Sequence, residues 1–271
     1  MTFSIVGRSE DGTSWGVAVA SKFLAVGNAV PAAVAGIGAL ATQAAANVAW
    51  KPEGLSLLDE GLPAAEALQR LLDADEQSAH RQIGIVDADG SAVSHTGRDC
   101  LDWAGGYAAD NVAIQGNVLT GPEVIEAVRT SWDAGADKPL AHRLLDALEA
   151  GDAAGGDKRG RQSAALIVVQ DGAGYGGQDD IVADLRVDDH AAPIPELQRL
   201  LELNDFYLSA PPEADKVPVT DQLRSELDER TAALGHASFD AWIGTENYEM
   251  RVAEDGTWID TRVLDILRSG G

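Results

Sequence analysis

Strand-like and helix-like stretches come in pairs along this chain rather than alternating one for one. The apolar runs Phe3–Val6 and Trp15–Ala20 flank a polar turn at 9–14 and read as a hairpin. A second hairpin, 28–34 with 37–43, lies inside the uncharged, Ala- and Gly-rich stretch Leu24–Ala46, with a turn at Ala35–Gly38. Residues 56–75 space their leucines for helix and are broken at Gly61 and Pro63, so two short helices are expected there. Strands follow at 81–90 and 91–97, joined through Asp-Ala-Asp-Gly, and again at 111–119. Two helices, 121–134 and 139–151, carry Pro122 and Pro139 in their first turns, and Gly151 suits a helix stop. Strands at 162–173 and 180–190 and a helix at 193–208 complete this part. The order lacks the strict βα alternation of a doubly wound sheet. It suits two sheets between two helical layers, so the expected class is α+β, a four-layer αββα sandwich.

The segment 210–218, Ala-Pro-Pro-Glu-Ala-Asp-Lys-Val-Pro, reads as a linker. It divides the chain into a domain over 1–209 and a small C-terminal module over 219–271. That module begins with a helix and concentrates Trp, Tyr and Phe, as a small unit must to build a core.

Charge narrows the partners. The 271 residues hold 20 Lys plus Arg against 44 Asp plus Glu, a net charge of −24 that repels nucleic acid and anionic membrane. Acidic residues are spread along the whole chain and lysines number five, a pattern matching halophile-type surfaces. No apolar run has the length and purity of a membrane span, and no signal peptide stands out, so a cytoplasmic protein is expected. The single cysteine, Cys100, excludes an internal disulfide. The five histidines show no metal-binding spacing, and neither cofactor nor metal is expected. His190 beside Asp188 and Asp189 reads either as a cation contact or as a polar strand end.

Several polar residues interrupt apolar runs. Thr2 is the sharpest case. Were it the first residue of the mature chain, its hydroxyl would sit beside an α-amine of pKa about 8, a compact nucleophile and base. Gln43 and Asn47 end one strand and open a helix; His95 ends another strand; Gln115 and Asn117 bracket Gly116. Amides at such positions can donate to an oxyanion. The loop Gly-Gly-Asp-Lys-Arg-Gly-Arg-Gln at 155–162 enters an apolar strand, and its Arg159 and Arg161 are candidates to clamp a substrate carboxylate, with Gln162 beside them.

The ordered motifs MTFSIVGR, GVAVASKFLAVG, GIGALATQAAAN, HTGRDCLDWAG, IQGNVLTGPEV, GGDKRGRQSAALIVV and DLRVDDH resemble the domain-of-unknown-function 1028 family, placed among the N-terminal-nucleophile (Ntn) hydrolase folds. The resemblance runs from residue 2 to about 208. The tail from about 219 resembles the peptidoglycan-binding-like domain often attached to that family. The resemblance implies the αββα sandwich and a nucleophile opening the first strand, here Thr2. The catalytic set it suggests is Thr2, Lys22 and Asn117. The substrate-binding set is Gln43, Asn47, His95, Gln115, Arg159, Arg161 and Gln162. Residues 28–46 carry no Lys or Arg, so a cation near the Thr2 amine would come from Lys22, Arg159 or Arg161. The implied activity is hydrolysis of a small amide or acyl-amino-acid substrate. The alternative is an inactive Ntn scaffold that binds a small metabolite or cell-wall fragment. A homo-oligomer is expected in either case.

Overall fold

The structure is a computed structural model that describes residues 2–270. In chain order its elements are β1 (Thr2–Arg8), β2 (Ser14–Ser21), α1 (Val26–Ala29), β3 (Pro31–Val34), β4 (Gly38–Ala44), α2 (Trp50–Asp59) and α3 (Ala64–Ala74). There follow β5 (Arg81–Asp87), β6 (Ala92–Thr96), β7 (Gly105–Ala109), β8 (Val112–Asn117), α4 (Glu123–Ala134) and α5 (Leu140–Ala153). The remainder is β9 (Ser163–Gln170), β10 (Ile181–Val187), α6 (Pro193–Leu208), β11 (Lys216–Pro218), α7 (Asp221–Ala233), α8 (Phe239–Glu246), β12 (Trp258–Asp260) and α9 (Thr261–Ser269). The chain is thus mixed α and β with antiparallel sheets. Three strands, β7, β11 and β12, escaped the sequence reading; β7 did so because Gly-Gly-Tyr-Ala-Ala lacks the β-branched residues that mark a strand.

Two compact units divide the chain, the first ending at Leu201 and the second beginning at Glu202, within α6. In the first unit a six-stranded sheet has the order β10-β9-β2-β1-β8-β7, and a four-stranded sheet the order β3-β4-β5-β6. Strand alternation distributes their side chains between two faces. Phe3 and Ile5 of β1, Ala18 of β2 and Ile114 of β8 pack against Val128, Trp132, Leu144 and Leu148 of α4 and α5. Their neighbours Val6, Val17 and Ala113 pack instead with Ala39 and Ala41 of β4 and Val86 of β5. The other face of the four-stranded sheet, through Leu40, Ile83 and Ile85, buries Trp50, Leu58, Ala67 and Leu71 of α2 and α3.

The second unit pairs β11 with β12, so the far end of the expected linker, 216–218, is a strand. Its core holds Leu227, Trp242, Tyr248, Ile259 and Val263. Arg251 and Asp260 form a buried ion pair at 3.0 Å, and Asp260 also caps α9 by accepting from the Arg262 backbone N–H at 2.6 Å. Among the described residues, no helix is long and apolar enough to cross a membrane.

The contact of α4 and α5 with β1 depends on a missing side chain. A Cβ on Gly7 would lie 2.6 Å from Trp132 Cη2 and 3.0 Å from Leu144 Cδ2. Gly7→Ala is expected to lower unfolding stability by about 1–3 kcal/mol, through overpacking. The urea midpoint followed by circular dichroism measures it, and an unchanged midpoint would show that this contact yields without strain.

Candidate functional site

Alternation along β1 puts Thr2 and Ser4 on the same face as Val6, toward the four-stranded sheet. The strand registers then align polar residues in rows. Thr2 is paired with Asn117 and Ser4 with Gln115 across β1 and β8. Gln43 is paired with Gln82, and Gln82 with Thr96, across β4, β5 and β6. The interface between the sheets is therefore apolar around Val6, Val17 and Val86 and becomes polar where β1 begins.

These side chains form one uncharged hydrogen-bonded network. Gln82 Nε2 donates to the Gly116 carbonyl at 2.7 Å and to Thr96 Oγ1 at 2.8 Å. A carbonyl can only accept, so this fixes which end of the Gln82 amide is nitrogen. Gln82 Oε1 then receives Gln43 Nε2 at 2.7 Å and Asn117 Nδ2 at 3.0 Å. Gln43 Nε2 also points at the Thr2 and Gln115 carbonyls, at 3.2 and 3.3 Å, and its Oε1 accepts from Ser4 Oγ at 2.7 Å. Ser4 Oγ in turn accepts from Gln115 Nε2 at 2.6 Å. The donor direction thus runs from Gln115 through Ser4, Gln43 and Gln82 to Thr96, with backbone carbonyls setting its sense. Among the described residues no donor reaches the buried Gln115 Oε1, and it occupies the space that a side chain on Gly84 would need: a Cβ there would be 2.0 Å away.

Thr2 is 7% exposed. Its Oγ1 lies 3.1 Å from Ser21 Oγ, and its carbonyl is approached by Gln43 Nε2 and, at 3.4 Å, by Asn117 Nδ2. Beyond Asn117 a cavity of about 430 Å³ opens. Its polar lining is His80, Asp99, Cys100 and Asn117; Ala44, Ala45, Leu101 and Val118 supply apolar walls. Ala44 (φ 66°) and Val118 (φ 51°) both adopt the left-handed conformation, which is unfavourable for alanine and more so for a β-branched residue. Two such residues on one cavity wall are a signature of functional sites. Val118 is held there by its N–H on the Leu101 carbonyl at 2.9 Å. Burial pushes the Cys100 thiol above its ordinary pKa, and its Sγ donates to the Arg81 carbonyl at 3.4 Å.

Of the residues singled out from the sequence, Thr2, Gln43, Gln115 and Asn117 come together. The others have different partners. Lys22 is exposed; its backbone N–H binds Asp157 Oδ2 at 2.7 Å and its Nζ reaches the Arg161 carbonyl at 3.3 Å. Arg159 pairs with Asp157 at 3.3 Å and Arg161 with Asp152 at 2.8 Å. Gln162 donates to Asp189. His95 is paired with Ile83, whose side chain faces α2 and α3, so alternation turns His95 away from the network. Asn47 binds Asp75 at 3.0 Å and accepts from the Ala49 N–H, shaping the turn into α2. The sequence reading missed Ser4, Ser21 and Gln82. Gln82 carried a usable signal, since it alternates with Ile83 and Ile85 and so shares a face with Gly84 and Val86.

Comparison with known proteins places the chain. The model of the family described as "Family of unknown function (DUF1028)" matches residues 2–197, and the chain belongs to that family. Protein SPO2555 from Silicibacter pomeroyi, a solved structure of the same family, is 30% identical over 75% of this chain and 86% of its own, with a TM-score of 0.68. Anbu (ancestral beta-subunit) from Yersinia bercovieri is 11% identical over 74% of this chain and 93% of its own, with a TM-score of 0.34. The Anbu (Gly-1) mutant from Hyphomicrobium sp. strain MC1 is 12% identical over 74% and 95%, also at 0.34. No curated protein matches the chain.

Two predictions follow from this geometry. Gln82→Leu keeps the volume but strands the Gln43 and Asn117 amides and the Gly116 carbonyl, each buried polar group costing about 1–3 kcal/mol. The variant is expected to be markedly less stable in chemical denaturation; wild-type stability would show the network to be dispensable. The second concerns Asp75, which binds Arg81, the Gln77 N–H and Asn47. The Arg81 hydrogen bond, with the Gln77 N–H and Asn47 adding to it, holds its pKa below the ordinary carboxylate value. A depressed folded-state pKa contributes stability that is present above the unfolded value and is lost as pH falls through the folded one. The stability difference between wild type and Asp75→Asn should therefore shrink as the medium is acidified below the ordinary carboxylate range, as measured by denaturation midpoints across pH.

Proposed function

We propose that this member of the family is an amide hydrolase of the N-terminal-nucleophile type, with Thr2 as nucleophile once it is the first residue of the mature chain. In this reading the two sheets and their helices form the αββα sandwich, ordered as α4 and α5, the six-stranded sheet, the four-stranded sheet, then α2 and α3. One observation carries the proposal: Thr2 stands nearly buried at the start of β1, its carbonyl fixed by two amides that are themselves locked, and its cross-strand partner Asn117 lines a cavity large enough for a small molecule.

The chemistry needs few parts. The α-amine of Thr2 takes the proton from its own Oγ1 as that oxygen attacks the substrate carbonyl carbon. The protonated amine then gives the proton to the leaving nitrogen as the C–N bond breaks, leaving an ester on Thr2. Water, deprotonated by the same amine, attacks the ester carbonyl; the C–O bond to Oγ1 breaks, the amine returns the proton to Oγ1, and the carboxylic acid is released. Ser21 Oγ, 3.1 Å from Thr2 Oγ1, orients the nucleophile. The amide N–H groups of Asn117 and Gln43 are directed at Gln82 Oε1 and at backbone carbonyls, so they position Thr2, and backbone N–H groups are left to hold the oxyanion. Lys22, Arg159 and Arg161 act outside this set, since their side chains are engaged with a carbonyl and two aspartates.

The test compares protein whose intact mass shows Met1 removed with its Thr2→Ala counterpart on a panel of amides and acyl-amino acids. Turnover by the processed protein and a loss of at least about 10³-fold in the variant is the expected outcome, in the range seen when a nucleophile is removed. Equal turnover by both removes Thr2 from the chemistry. Saturable binding with no turnover by either favours a binding scaffold.

A further inference from the structure

The cavity beside Asn117 has a chemical bias that follows from which hydrogen-bonding groups are already spent. The Asn117 side chain is 2% exposed, and its Nδ2 is directed at Gln82 Oε1 and the Thr2 carbonyl. Among the described residues no donor reaches its Oδ1, the polar atom with which Asn117 faces the cavity. Four backbone N–H groups of the lining are engaged within the chain. The N–H of Ala45 binds the His80 carbonyl, that of Val118 the Leu101 carbonyl, that of Asp99 the Ala79 carbonyl and that of Cys100 the Gly97 carbonyl. The Cys100 thiol donates to the Arg81 carbonyl.

Asp99 supplies the carboxylate of the lining. His80 Nε2 and Arg98 Nε stand at ion-pair distance from it, 3.8 and 3.9 Å, with no hydrogen bond, so its lone pairs can still accept from a ligand. Arg81, beside His80, is occupied by Asp75, Gln77 and the Ala45 carbonyl, and Arg98, next to Asp99, is 87% exposed to solvent. Arg159 and Arg161, the expected carboxylate clamp, are paired with Asp157 and Asp152 and are not part of the lining. What remains is a cavity that offers Asp99 and Asn117 Oδ1 as acceptors and the His80 imidazole as a side-chain donor, in a molecule of net charge −24. A carboxylate entering it would face the like charge of Asp99; an N–H donor would find Asp99 and Asn117 Oδ1.

We propose that the cavity receives the ammonium-bearing end of its ligand, held by Asp99 and Asn117 Oδ1, so that the preferred ligands are small compounds with a free primary amine, such as aminoacyl amides, rather than N-acyl amino acids. This deepens the reading of the Thr2 site and rests on it only for the identity of the bond cleaved.

The experiment measures binding in a protein that cannot use Thr2 as nucleophile. Thr2→Ala is titrated with L-alaninamide and with N-acetyl-L-alanine by calorimetry and ligand-observed NMR. Saturable binding of L-alaninamide, with N-acetyl-L-alanine at least about tenfold weaker, is the expected result. Adding Asp99→Asn should weaken L-alaninamide by about five- to tenfold, and Asp99→Lys should reverse the preference. Circular dichroism verifies that both variants fold; Asp99 is about half exposed, so neither buries an unpaired group. Binding of N-acetyl-L-alanine in preference, binding of neither probe, or indifference to both Asp99 substitutions overturns the proposal. Because the readout is affinity in Thr2→Ala, a failure here is separate from a failure of Thr2 to act as nucleophile in the processed protein.

Discussion

The Gln82 amide is the tie on which the site depends. It sits fully buried between two sheets, where an unpaired amide would be strongly destabilising. Its nitrogen is anchored to a carbonyl of the opposite sheet and its oxygen receives Gln43 and Asn117. That one side chain therefore links β5 to β4 and β8, and through Gln43 and Asn117 to the first carbonyl of β1. Because the carbonyls decide which end is nitrogen, every further amide in the network has one allowed orientation. Gly84 is required by the same arrangement, since its missing side chain leaves room for Gln115.

A network made of amides and hydroxyls has a consequence in so acidic a protein. None of its members titrates near neutrality, so the geometry around Thr2 is insulated from the pH dependence and salt sensitivity that a charge of −24 imposes on the surface. Ion pairs such as Arg159–Asp157 and Arg161–Asp152 lie outside it and hold the loop at 157–161. An ion pair buried between the sheets would carry a desolvation penalty. Amides obtain orientation without that penalty, provided each donor finds an acceptor.

Much of the fold was legible because its signals are local. Paired hairpins, proline-opened helices and the breaks at Gly61 and Pro63 all follow from backbone preferences of nearby residues. β7 was not, because Gly-Gly-Tyr-Ala-Ala is strand only through its partner β8. Within the site, Gln43, Gln115 and Asn117 could be flagged because polar residues interrupt apolar runs there. Gln82 needed a second step, combining alternation along β5 with the register against β4. Arg159 and Arg161 illustrate a related point. Their charge is visible in the sequence, but Asp157 and Asp152 neutralise them, and pairing is decided by side-chain directions that a loop composition does not encode. His95 shows how sharply parity matters, since one residue along β6 separates the face that bears Thr96 from the one that bears His95.

The same bookkeeping of donors that stabilises the interior determines what the cavity can recognise. An asparagine next to a proposed nucleophile invites the role of oxyanion donor. Here its two N–H groups are committed inward, one to Gln82 and one toward Thr2, and the carbonyl end is what it presents outward. Reversing that amide would set its oxygen against Gln82 Oε1 and the Thr2 carbonyl, two acceptors facing a third, so the orientation is fixed by repulsion as firmly as by bonding. The network thus turns a structural requirement, satisfying Gln82 Oε1, into a chemical preference at the cavity wall. Asp99 adds charge to that preference. Stability of the sheet interface and selectivity of the cavity are therefore set by the same few amides.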